Sequence, residues 1–241
     1  MSAGKIFLAE AIGTFTLIFA GVLSITAGPA TGPAAVSLAS IAFAHGLAIA
    51  VMVAALGAIS GGHFNPAVTF GFVATGRMTV LRGLFYWIAQ LVGASVAALV
   101  LRLTVGVGSV SMGTPDLVPN LSVFSGVVLE AVATFFLVLV VFGTAVDERA
   151  PKSVYPMAIG LTVTLGIMAI GPLTGGALNP ARAFGPALVS GHWANQLVYW
   201  AGPLLGGALA GWVANGVFLE TAPTAALAER GGPAPVEGRG A

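Results

Sequence analysis

The chain has no cysteine, which excludes disulfides, thiolate catalysis and thiolate metal sites. Charge is almost missing as well. Only 7% of the 241 residues are charged, against about 25% in a typical soluble domain. Water cannot wet such a surface, so the chain reads as an integral membrane protein whose first partner is the lipid bilayer. A net charge of +1 leaves no electrostatic footprint for nucleic acid. The three histidines are scattered, and no nucleophile–base pair recurs at membrane depth. Neither an enzyme, a metal site nor a cofactor is expected. What is abundant is glycine, 34 residues of it, and small residues let helices approach closely in lipid.

A helix needs about 20 apolar residues to cross a hydrocarbon core of ~30 Å. Six runs meet that length: residues 6–27, 36–59, 81–103, 123–146, 154–170 and 196–219. The first follows Lys5, so a cleaved signal peptide is its rival reading. Its length, the Glu10 inside it and the repeat described next argue for a true span.

One phrase occurs twice: GGHFNPAVTFG at 61–71 and GGALNPARAFG at 175–185. In Asn65-Pro66-Ala67 and Asn179-Pro180-Ala181 the Asn is a good helix N-cap, and Pro suits the first helical position. About ten apolar residues follow each Asn, enough for ~15 Å of helix, half the core. Each stretch is expected to be a re-entrant half-helix, 65–75 and 179–189, tolerated because it lines an aqueous cavity or is buried in protein.

The halves match around these phrases. Residues 46–71 align with 160–185 without a gap and are identical at 11 of 26 positions. Glu10 answers Glu130, and Tyr86-Trp87 answers Tyr199-Trp200. Three spans per half is an odd number, so the repeat is inverted, and the half-helices enter from opposite faces with their Asn residues near the midplane. The expected organisation is a first repeat at 1–104, a connecting extracellular loop at 105–122, a second repeat at 123–219 and a disordered cytoplasmic tail at 220–241. Lys5, Arg77, Arg82, Arg149, Lys152, Arg230 and Arg239 fall on one side, and only Arg102 and Arg182 on the other. The basic side, with both termini, should be cytoplasmic, and the plasma (inner) membrane is the expected residence.

Two opposed positive helix ends with Asn donors welcome a neutral molecule and repel a cation, the kind of barrier described for aquaporins. The copies differ at one position: Arg182 stands three residues after Asn179, and Val68 three after Asn65. Arg182 reads either as a buried residue tied to carbonyls for stability or as a pore-lining cation barrier.

The doubled Asn-Pro-Ala, the inverted three-span halves and Asn-Pro-Ala-Arg in the second half resemble the aquaporin (major intrinsic protein) family over residues 5–219. The resemblance implies an all-α membrane fold of six transmembrane helices plus two re-entrant half-helices. It also implies a homotetramer with a water pore in each subunit. By the family's spacing, the narrow filter falls on His45, Ile167, Gly176 and Arg182. That quartet resembles plant tonoplast intrinsic proteins, some of which also pass ammonia, although no His stands in 104–122, where some ammonia-passing relatives have one. The glycerol branch is the rival. Its pattern after the motif's Arg is missing at Ala183, Ala187 and Tyr199-Trp200, and its filter aromatics are missing too. The resemblance gives Glu10 and Glu130 the role of buttressing the backbone before the half-helices. The reading from another class is a proton-coupled carrier using one of them. His63 falls in the cytoplasmic vestibule, as a lining residue or a pH gate. Tyr86, Gln90 and Phe43 read as packing residues, and the small-residue faces at 202–206 and 207–211 as helix contacts. The expected function is passive conduction of water, and of ammonia or other small neutral solutes, with ions and protons excluded. His45→Phe is expected to narrow the filter and lower ammonia flux relative to water in one liposome preparation; an unchanged ratio would count against the tonoplast-like filter.

Overall fold

The computed structural model describes residues 1–30 and 37–219. The expected tail at 220–241, with Arg230 and Arg239, lies outside the described residues. Six helices cross: α1 (Ala3–Ala30), α2 (Leu38–Ser60), α4 (Val80–Val105), α6 (Val123–Val141), α7 (Tyr155–Thr174) and α9 (Gln196–Val213). Between them lie the half-helices α3 (Pro66–Ala74) and α8 (Pro180–Ser190), and a short α5 (Val107–Met112) inside the long connection. The apolar runs thus appear as helices at the expected places. The addition is α5, whose six residues are too few to carry a periodic signal.

The two glycine pairs set the half-helices in place. Gly61 (φ +95°) ends α2 and Gly175 (φ +80°) ends α7, each sending its N–H back to the carbonyl four residues earlier, at 2.8 and 2.9 Å. The second glycines, Gly62 and Gly176, continue at φ +65° and +56°. Only a residue without a Cβ adopts these angles freely. The chain therefore unwinds for five residues and restarts at a capped Asn-Pro.

Packing follows the repeat. α1 lies on α2 and α4, and α6 on α7 and α9; α2 against α7 joins the halves. The half-helices are exchanged: α3 packs on α9 and α8 on α4. Glycines sit at the crossings. A Cβ on Gly93 would run into the Ala11 carbonyl, and one on its repeat mate Gly206 into the Ala131 carbonyl. Gly46 and Gly160 face each other across the centre in the same way. Gly202 and Gly206 meet α6, while Gly207 and Gly211 meet the carbonyls of Ala67 and Gly71 in α3. The two small-residue faces of α9 thus serve two different neighbours.

At the end carrying most of the basic residues, α6 and α9 each finish in a π-helical turn, Phe142–Val146 and Ala214–Phe218. Arg77 donates to the Asn215 amide oxygen at 2.7 Å, Arg149 to the Phe218 carbonyl at 2.7 Å and Lys152 to the Asp147 carbonyl at 2.6 Å. The Arg149 guanidinium and N–H hold the Asp147 carboxyl down to about 2. Gly206→Ala should lower the thermal unfolding midpoint in detergent, with a cost of about 1–3 kcal/mol for overpacking. Gly108→Ala, with open space around it, should stay within about 0.5 kcal/mol of the parent.

Candidate functional site: a pore between two half-helices

The two unwound segments are caged by buried carboxyls. Glu10 accepts from Ser60 Oγ at 2.6 Å, the His63 N–H at 3.0 Å, the Phe64 N–H at 2.7 Å and Gln90 Nε2 at 2.8 Å. Glu130 accepts from Thr174 Oγ1 at 2.7 Å, the Ala177 N–H at 2.9 Å and the Leu178 N–H at 2.7 Å. Both carboxyls are 0% exposed, and every partner is a donor. The residue whose backbone N–H each clamp holds at the shorter distance is strained: Phe64 (φ +49°) and Leu178 (φ +53°) are left-handed without being glycine. Such a conformation costs about 1–2 kcal/mol. Tyr86 Oη then closes the Ser60 carbonyl at 2.6 Å, and Tyr199 Oη the Thr174 carbonyl at 2.8 Å.

Tyr86 and Gln90, which read as packing residues in the sequence, are hydrogen-bonding partners here, and Ser60 and Thr174 join them without any motif to mark them. The pairing of Ser60 with Thr174 in the aligned repeat was the available signal. Gln90 has no such counterpart: the matching position on α9 is Pro203. It links Glu10 to Thr69 Oγ1 at 3.0 Å, and His63 Nδ1 lies 3.0 Å from the same hydroxyl.

At the centre the two Asn residues cap their own helices and reach across. Asn65 Oδ1 accepts the Ala67 N–H at 2.8 Å, and its Nδ2 donates to the Leu178 carbonyl at 2.8 Å. Asn179 Oδ1 accepts the N–H groups of Ala181 at 3.0 Å and Arg182 at 3.3 Å, and its Nδ2 donates to the Phe64 carbonyl at 2.9 Å. The expected turn of both NH2 groups toward the axis is thus half taken up. One hydrogen of each stitches the halves together, and an amide carries a second.

A cavity of about 190 Å³ runs past both Asn residues from Ala145 and Val146 at the basic end to Arg182. It includes His45, His63, Ile167 and both Asn residues in its wall. Beyond Arg182 a second opening of about 280 Å³ is bounded by Gly113, Asp116 and Gly175. Ile167 and Arg182 belong to both walls, so they form the partition between the two spaces. Gly176 stands behind the partition: a Cβ there would lie 3.1 Å from Ile167 Cα. Arg182 Nη1 donates to the Gly113 carbonyl at 2.9 Å, while its buried Nε finds no acceptor among the described residues. His45 Nδ1 lies 2.8 Å from the Ile41 carbonyl. A carbonyl only accepts, so Nδ1 carries the hydrogen. The carbonyls of Gly61, Gly62, His63, Gly175, Gly176 and Ala177 accept no hydrogen bond from the described residues.

The second opening has its own polar brace. Asp116 accepts from Asn195 Nδ2 at 2.7 Å and its neighbour's N–H at 2.8 Å, and lies 2.7 Å from His192 Nε2. Partial burial pushes this carboxyl up. The bonds from Asn195, the Leu117 N–H and His192 outweigh that and hold it below the usual range.

A membrane-spanning bundle with two capped half-helices meeting at a narrow internal cavity is the architecture of a passive channel. The sequence profile of the Major intrinsic protein family matches residues 1–214. Probable aquaporin TIP2-1 of Oryza sativa subsp. japonica is 48% identical over 224 residues, covering 89% of this chain and 88% of that one. Aquaporin TIP2-2 of Zea mays is 47% identical over 228 residues, with the same coverage. Aquaporin TIP2-1 of Arabidopsis thaliana is 44% identical over 230 residues, covering 93% and 91%. Among solved structures, an aquaglyceroporin from Plasmodium falciparum superposes with a TM-score of 0.79 at 25% identity, covering 90% of this chain and 97% of that one. The chain belongs to the major intrinsic protein family, as an aquaporin of the TIP type. It is a water channel and not an enzyme.

The depressed Asp116 carboxyl contributes stability that is present above the ordinary carboxylate pKa of about 3.9 and lost as pH falls through its lower folded value. Asp116→Asn should therefore lower the thermal midpoint at pH 7, and the gap to the parent should close in strong acid; a gap independent of pH would show that the charge is not what holds this brace.

Proposed function

We propose that water passes in single file through each subunit, past Asn65 and Asn179, through a filter made by His45, Ile167, Gly176 and Arg182. The observation that carries this is the partition: Arg182 and Ile167 separate the two spaces, and Arg182 keeps a buried donor unspent. The unpaired carbonyls of residues 61–63 and 175–177 supply acceptors on either side of the Asn pair, and the remaining amide hydrogens supply donors. A water molecule at the centre then gives its oxygen to the Asn donors, and a chain of waters cannot stay aligned in one direction through that point. Cations face the guanidinium and two positive helix ends.

His45, Ile167 and Gly176 put no large aromatic on the filter, which favours ammonia and other small neutral solutes as additional permeants. The carboxyl of Glu10 takes four donors and that of Glu130 three, all from the protein, which fits buttressing better than carrying a coupling proton. His63 belongs to the wall of the inner vestibule. The organisation in this reading is two inverted repeats, 1–104 and 123–219, joined by an outer connection at 105–122. The assembly is a homotetramer. Both termini are cytoplasmic, with α3 entering from that side and α8 from the other. The same orientation serves the plasma (inner) membrane and the tonoplast; the TIP type of the plant relatives points to the tonoplast.

Purified protein in liposomes tests the reading by stopped-flow light scattering. Osmotic shrinkage should exceed that of empty vesicles, with a low activation energy and no dependence on a proton gradient, and glycerol should lag far behind water. Arg182→Val should widen the filter, raising solute flux and weakening cation exclusion. Unchanged fluxes from a folded Arg182→Val protein would remove Arg182 from the filter.

A further inference from the structure

The repeat makes it possible to ask what each filter residue displaced. His45 on α2 aligns with Ile159 on α7. The register that matches Glu10 to Glu130 also matches Leu17 to Leu137 and Gly21 to Val141. Leu17, Leu137, Val141 and Ile159 all line the inner cavity, as does His45; Gly21 does not. In the second half, then, a valine on the first helix and an isoleucine on the next share the wall. In the first half a glycine and a histidine take their places.

The reason is contact. The edge of the His45 ring lies against the Gly21 backbone. A Cβ built on Gly21 would collide with Nε2, Cδ2 and Cε1, the last two at 2.5 and 2.7 Å. The opposite edge of the ring is held by the bond from Nδ1 to the Ile41 carbonyl, and the side chain is 2% exposed. With α1 on one side and its own helix on another, the ring's free direction is the cavity.

We propose that Gly21 is a positioning residue for the filter: by lacking a side chain it lets His45 withdraw against α1, and so sets the width of the opening and where Nε2 points. The pair Gly21 and His45 is a volume exchange for Val141 and Ile159, bulk moved from one helix to its neighbour. Gly21 touches no permeant and acts only through the imidazole. The proposal rests on the reading of His45 as a filter residue.

The test compares Gly21→Ala, His45→Ala and the double variant in liposomes. Water flux is read by light scattering and ammonia flux by an enclosed pH dye, each corrected for channel number. Gly21→Ala should push the ring into the opening and lower water flux about tenfold, the scale of one methyl-sized change in a tight recognition site; the ammonia-to-water ratio should change with it. The double variant should behave like His45→Ala alone, because the side chain that was displaced is gone. Parental fluxes in Gly21→Ala would overturn the proposal. So would a double variant as impaired as Gly21→Ala, since the glycine would then serve helix packing. If Gly21→Ala does not fold, a folded double variant supports the proposal, and a misfolded one overturns it. Failure of the filter reading is seen separately, as parental fluxes and ratio in His45→Ala.

Discussion

Backbone that leaves a helix inside the hydrocarbon core must find hydrogen-bond partners within the protein, because no water is there to supply them. The rest of this structure depends on how that demand is met. Each unwound segment presents two successive N–H groups to one buried carboxyl. An unsatisfied buried donor costs about 1–3 kcal/mol, and each segment also carries a left-handed Phe or Leu. Glu10 and Glu130 offset both costs at once, since the bond to the strained residue is the shortest of their backbone contacts. With the segments fixed, three carbonyls in each, those of residues 61–63 and 175–177, accept no hydrogen bond from the described residues, and in the proposed function these are the acceptors of the permeation path. A structural debt on the donor side thus produces the chemistry on the acceptor side.

The repeat builds a symmetric scaffold, and the proposed filter lies where the symmetry fails. On the outer side stand His45, Ile167, Gly176 and Arg182. Their counterparts on the inner side are Ile159, Val53, Gly62 and Val68, with nothing to donate or repel. The cavity wall is apolar along Val68, Leu137, Val141 and Ile159, with His63 as the polar side chain beside them. The second asymmetry is Gln90, which ties only Glu10 into a chain of side chains ending at His63.

The sequence made the spans, the half-helices and the inversion legible because each leaves a periodic or repeated trace. Apolar runs of fixed length mark spans, Asn-Pro marks a capped start, and Glu10 and Glu130 stand out as lone charges matched by the repeat. Other features leave no such trace. The left-handed angles of Phe64 and Leu178 are imposed by tertiary contacts on residues that do not favour them. A local rule sees only each Asn's own helix and makes its side chain a donor to the axis; the partners, Leu178 and Phe64, lie more than a hundred residues away. The Gly113 carbonyl that holds Arg182 belongs to a connection with no motif at all. Gly21, one of 34 glycines, acquires meaning only when His45 is seen beside it.

The exchange of half-helices has a consequence for biosynthesis. α3 is made early, but the surface it packs on, α9, is the last helix of the described chain to leave the ribosome. Asn65 gains its partner carbonyl only when Leu178 is made, and α3 lacks its main packing surface until α9 follows. The halves are therefore not successive folding units in the order of translation. The chain closes like a clasp, and the final helix is the part that locks both sides.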